Sequence, residues 1–238
     1  GVIIYEREFG NLNYGDSPDV TTETVYDLAS VTKASATVPA IMKLYDEKKI
    51  ALQDNIGRYV KETKGTDKEN IRIRSLLLHE SGLTAFIPYY TTAIDKNSYT
   101  GSLFGQRSQR YNANYAGAWG RTDYKFHSEM ISSKPTEIFY QPVASDMYAS
   151  DKMKEALLKD IIISPVSNRG KYRYSCLNFI LLKEAIENIS GLNLDTYVRT
   201  NFFDKLGANS TTYLPLRYIP REVIAPTEID PFFRKQHL

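Results

Sequence analysis

YDLASVTKASATVPAIMKLYDEKKIAL, residues 26–52, joins a polar loop to a strongly periodic helix. From Ser30 to about Lys48 the apolar residues Val31, Ala34, Val38, Ile41, Met42 and Tyr45 recur at three- and four-residue steps, which predicts a helix with one buried face. Pro39 lies inside that pattern and removes a backbone donor, so a local kink is expected. Ser30 and Lys33 stand three apart where loop becomes helix, on one face. One reading makes Ser30 a helix cap and Lys33 a solvated surface residue. The other makes Ser30 a nucleophile with its base one turn away. A serine hydroxyl needs such a base, and burial beside it would lower the lysine pKa enough for the amine to take a proton. The helix opening adds partial positive charge and free N–H groups where an oxyanion would form.

Moving outward, 238 residues suffice for a substantial core, and 42% hydrophobic with 24% charged residues is ordinary globular composition. Thirty basic against 28 acidic residues leave a formal charge of +2, too weak a field to argue for nucleic acid or anionic membrane. No run approaches the ~18 apolar residues of a membrane span. Cys176 is the only cysteine, so no internal disulfide can form. Its pairing as a nucleophile with His79, His127 or His237 lacks any surrounding cysteine-hydrolase pattern. The same three histidines are too scattered for a metal site, and no cofactor is expected.

Along the chain, residues 2–14 read as two strands and a turn around Gly10 and Asn11. IALQDNIGRYV reads as a turn and short helix, and IRIRSLLLHESGL as a short helix ended by Gly82. Residues 84–165, rich in Tyr, Ser, Asn and Gly, read as a long surface excursion with a helix near its end. LNFILLKEAIENI is a strong amphipathic helix stopped by Gly191, and NLDTYVRTNFFDKLG another closed at Gly207. The Pro-studded last segment ends without a strand.

VYDLASVTKASATVPAIMKLYDEKKIALQDNIGRYV followed by IRIRSLLLHESGL resembles the serine β-lactamase and penicillin-binding protein superfamily, in the branch of class C β-lactamases, D-amino peptidases and related esterases. Three ordered motifs carry the likeness. They are the S-x-x-K of Ser30 and Lys33, the segment Leu77, Leu78, His79, Glu80, Ser81, Gly82 and Leu83, and a Tyr-x-Asn-type element matched by YRYSCLNF. The resemblance implies an α+β fold, an antiparallel sheet with flanking helices plus a helical region, in a single domain over 1–238 with 84–165 as a variable, cleft-covering insertion. It implies Ser30 as acylated nucleophile, Lys33 as its proton acceptor, Tyr174 as second general acid/base, and His79 as a structural support of the cleft floor.

Two departures qualify the likeness. Cys176 occupies the substrate-binding third position of the Tyr element, where many members carry Asn or Asp; a thiol is a weak donor and acceptor. No Lys-Thr-Gly or His-x-Gly follows Tyr174, so the C-terminal strands of the fold are expected to be missing from the chain. The resulting expectation is a serine hydrolase or acyl-transferase acting on a cell-wall peptide, a β-lactam or a small ester. The rival is a catalytically impaired module that binds a peptide, glycan or protein partner. Fusion to, or association with, another catalytic domain and a periplasmic or extracellular setting in a bacterial envelope fit the same family.

Overall fold

The computed structural model describes residues 2–15, 17–115, 117–144, 146–227 and 231–232; His237 lies outside them. The helix opened by Ser30 begins at Val31, runs as a π-helix over Lys33–Thr37 and continues as α1 (Val38–Asp46). The wide turn has a cause in the sequence. Pro39 has no N–H to return to the preceding turn, and the Val38 N–H reaches back to the Lys33 carbonyl instead. The expected kink is therefore an expanded turn directly beneath the serine.

The remaining helices are α2 (Ile73–Leu77), α3 (Asp151–Ile163), α4 (Cys176–Ser190), α5 (Leu194–Val198) and α6 (Asp204–Leu206), the last two joined by a π turn over Arg199–Phe203. Ala40, Ile41 and Leu44 of α1 pack with Ile73 and Leu76 of α2, with Leu181, Leu182, Ala185 and Ile186 of α4, and with Leu194 and Val198 of α5 in one cluster. Each buried Leu or Ile there contributes about 1.5–3 kcal/mol. The Lys183–Glu187 ion pair on α4, at 2.6 Å and partly exposed, adds only ~0.5 kcal/mol. Packing of apolar faces holds the bundle. Gly191, left-handed at φ 70°, closes α4 as expected.

Two expectations are corrected. Residues 2–14 form no strand ladder; they are mostly exposed, and Asn11 makes only an isolated bridge to Asp19. Residues 84–165 hold more than the expected surface excursion and helix: every strand ladder among the described residues lies inside them. These are β1 (Ile94–Asp95) with β5 (Lys125–Phe126); β2 (Phe104–Gly105), β4 (Ala118–Arg121) and β3 (Tyr111–Tyr115); and β6 (Ile131–Ser132), β8 (Met147–Ala149) and β7 (Gln141–Ala144). All pairings are antiparallel. Phe232 packs its buried ring on Phe104 and Tyr124, where Gly120 leaves room that a Cβ would fill. Beyond α6 the described residues form only short 3-10 turns and one bridge, Val25 to Ile224.

One connection positions the site. After α3 the chain runs back along residues 79–85 like a closing zip. Lys68, almost fully buried, donates to the carbonyls of Ile162 and Ser164 and pairs with Asp67 at 2.6 Å. Val166 then bridges Leu83, Ser167 N–H donates to Gly82, Gly170 to Glu80, Arg173 to His79 and Cys176 to Ala85. Tyr174 rides on that track.

Candidate active site

Ser30 sits at the helix mouth on a strained turn. Ala29 just before it is left-handed at φ 43°, and its N–H is held by the Asp27 carboxylate at 2.8 Å. A non-glycine residue there costs about 1 kcal/mol, and such strain gathers at functional sites. The Val31, Thr32 and Lys33 N–H groups close back on the carbonyls of Leu28, Ala29 and Ser30. The Ser30 hydroxyl caps none of them. It is exposed, and it accepts a hydrogen bond from Lys33 Nζ at 2.9 Å and another from Tyr174 Oη at 2.9 Å. The structure therefore brings Ser30, Lys33 and Tyr174 together. The Lys33 ammonium is half-buried and lies 5.2 Å from the Tyr174 ring centre and 5.9 Å from that of Phe179. Aromatic faces favour a cation at that distance and keep Nζ directed at the serine.

Cys176 is placed differently. It opens α4 two residues past Tyr174, and among the described residues no hydrogen bond joins its thiol to Ser30 or Lys33. Burial, and then the Asp160 carboxylate, push the Tyr89 hydroxyl well above the usual phenol range. His79 lies against the site rather than in it, its ring 4.5 Å from that of Tyr174 and 5.3 Å from that of Phe179. His127 lies apart, on an open cavity of about 580 Å³ with Thr92 and Asp160. No group of His, Cys, Asp or Glu among the described residues could hold a metal ion.

Two features escaped the sequence reading. The left-handed Ala29 carries no signal that would distinguish it from any alanine. Asn178, hidden as one polar residue in an apolar helix, is fully buried. It accepts from the Ser81 hydroxyl and bonds His79, so the second and third motifs are physically joined.

A serine, a lysine one turn deeper and a facing tyrosine, carried on an α+β scaffold, define an S-x-x-K protein. The chain belongs to the Beta-lactamase family, whose model matches residues 1–225. A protein of Salmonella gallinarum named "Putative D-alanyl-D-alanine carboxypeptidase" is 30% identical over 219 residues, covering 88% of this chain and 39% of that protein. One of the same name from Escherichia coli is 30% identical over 244 residues, covering 96% and 44%. The chain thus spans about two fifths of the length of the curated relatives it matches. Among solved structures, the octameric penicillin-binding protein homologue of Pyrococcus abyssi superposes with a TM-score of 0.58 at 21% identity, over 93% of this chain and 40% of that one. A class C β-lactamase gives 0.54 at 13% identity, over 96% and 49%. The fold is that of the β-lactamases and penicillin-binding proteins. Among the described residues no helix is long and apolar enough to cross a membrane.

Proposed function

We propose that the chain carries the acylation centre of a serine hydrolase. Ser30 Oγ attacks a carbonyl carbon, its proton passes to Lys33 Nζ, and Tyr174 Oη hands a proton to the departing group. Water then attacks the acyl ester on Ser30, giving its proton to the Tyr174 phenolate, while Lys33 returns the first proton to the departing Ser30 Oγ. The carrying observation is that Lys33 Nζ and Tyr174 Oη both stand 2.9 Å from one serine oxygen. That is hydrogen-bond reach for proton transfer, before any substrate tightens the site. The relatives' name makes peptides ending in D-alanyl-D-alanine the first substrates to try, with β-lactams and small esters next. Such a substrate belongs in a bacterial envelope. Residues 84–165, whose small sheets flank the helical core in sequence, are the proposed specificity region of a single domain.

A fluorescent penicillin tests this directly. Covalent labelling of the chain that vanishes in Ser30→Ala is the expected result, and labelling that persists in that variant excludes the mechanism. One observation favours the rival binding module: Cys176 stands where an amide would serve lysine and substrate, and its thiol bonds neither Lys33 nor Ser30 among the described residues. The variant Cys176→Asn separates the two readings. A rise in acylation rate marks a working but weakened enzyme, while no labelling in either form marks the binding module.

A further inference from the structure

His79 occupies a position that ordinarily goes to glycine. Helix α2 ends in a Schellman motif, with the Glu80 N–H on the Ser75 carbonyl at 2.8 Å and the His79 N–H on Leu76 at 3.3 Å. The residue just past the C-cap of such a motif is left-handed, and here it is His79, at φ 57°. A side chain there is a cost that glycine would avoid, so the ring should serve something else. Its contacts say what. Nδ1 lies 3.1 Å from the Ser175 N–H and 3.0 Å from Asn178 Nδ2.

Neighbours fix the proton on that ring. Ser81 Oγ accepts the Leu83 N–H, so its own hydrogen points at Asn178 Oδ1. The Asn178 amide is thereby oriented with Nδ2–H toward His79. Two donors converge on Nδ1, which must be a bare lone pair, and the imidazole proton belongs on Nε2. The same residue grips the Tyr174 segment a second time through its carbonyl, which accepts the Arg173 N–H at 2.8 Å. Residues 173 and 175 are thus both fastened to His79, and the residue between them is the tyrosine that reaches Ser30.

We propose that neutral His79 is the positioning residue for Tyr174, and that a proton taken up at Nδ1 repels the Ser175 and Asn178 donors and withdraws the tyrosine from Ser30. The inference rests on the acylation reading for its consequence in rate, though not for its structural content. The groups facing the ring agree with it. Lys33 approaches from the helix mouth, Tyr172 and Tyr174 from the preceding segment, and uncharged Asn178 and Phe179 from α4. Glu80, which could have welcomed a charged ring, is turned to Arg74 at 3.5 Å, and Arg173 reaches Ser167. Partial burial and then the Lys33 cation hold the imidazole below its ordinary value of 6.5.

Two variants test this on the chain itself. His79→Asn keeps an acceptor where Nδ1 stands, tolerates the left-handed backbone and does not titrate; His79→Gly keeps the backbone and removes the acceptor. By imidazole nitrogen NMR the wild type should show the Nε2–H tautomer and a midpoint below 6.5, with the Tyr174 ring resonances moving at that same midpoint and not in His79→Asn. Acylation by a fluorescent penicillin should fall about tenfold per pH unit below that midpoint in the wild type. The fall should be shallower in His79→Asn, which lacks the imidazole. His79→Gly should lose tenfold or more at neutral pH with its circular dichroism unchanged, and asparagine should restore most of that loss. An Nδ1–H tautomer, a Tyr174 ring indifferent to His79, or an identical acid limb in His79→Asn overturns the proposal. A wild type that never acylates sinks the hydrolase reading alone, and the ring titration still decides the positioning role.

Discussion

Lys33 and Tyr174 come to Ser30 Oγ from separate parts of the chain, one a helical turn away and one 144 residues later. They can therefore be removed independently. Lys33→Ala should lower the acylation rate by about 10²–10⁴-fold, and Tyr174→Phe by a similar factor, with the two losses less than multiplicative if both groups serve one proton path. Stopped-flow acylation rates of the single and double variants measure this. His79 adds a stability prediction whose sign is fixed. Its folded-state pKa is depressed, so its contribution is present above about 6.5 and lost as pH falls through the lower folded value. The melting temperature should drop on acidification through that window, and His79→Asn should flatten the drop. The serine and lysine were legible because their chemistry is encoded in spacing, and the tyrosine because it sits in a motif. Cys176 was legible as a departure, yet where its thiol points was not. Ala29 and Asn178 were invisible, since backbone strain and a buried amide leave no mark on composition.

At the scale of elements, the track from α3 to α4 sets where Tyr174 arrives. Lys68 satisfies two carbonyls at the C-terminal end of α3 from a nearly water-free position. Lys68→Met should cost about 1–3 kcal/mol, because the carbonyls stay buried without a donor. Thermal unfolding measures the loss. Gly82 is left-handed at φ 80°, and an added Cβ would collide with the Ser167 carbonyl. Gly82→Ala should therefore destabilise by more than the ~1 kcal/mol of the backbone change alone, and should lower acylation with it. Helices α1 and α4 could be read from periodicity because each buries one apolar face in the common cluster. The end of α2 was misassigned to Gly82, since His79 takes the left-handed position where a glycine was sought. The strands of β1 to β8 were missed because most are two to four residues long, too short for alternation to register. Residues 2–14 erred the other way: strand-forming side chains are present, but among the described residues their strand pairing stops at the isolated Asn11–Asp19 bridge.

For the molecule as a whole, apolar burial is uneven. One cluster spans α1, α2, α4 and α5, whereas the small sheets rest on clusters of only four buried residues each. Native-state hydrogen exchange should accordingly show α1 and α4 opening only near the global unfolding free energy, and β2–β4–β3 and β6–β8–β7 opening well below it. Phe232→Ala should remove most remaining protection from β2–β4–β3, since truncating a buried Phe costs about 3–5 kcal/mol, and should leave exchange in α4 unchanged.

Phe232 has a further consequence, which concerns time. Its carbonyl is gripped by the Tyr124 hydroxyl 108 positions earlier, and its ring is the plug against Gly120. During translation the hairpins around Gly120 leave the ribosome long before that plug exists. At about 5–20 residues per second the wait is roughly 5–20 s. Throughout that interval the nascent sheet presents an unfilled hollow between Phe104 and Tyr124, so the order of manufacture delays the moment at which this corner of the fold becomes watertight.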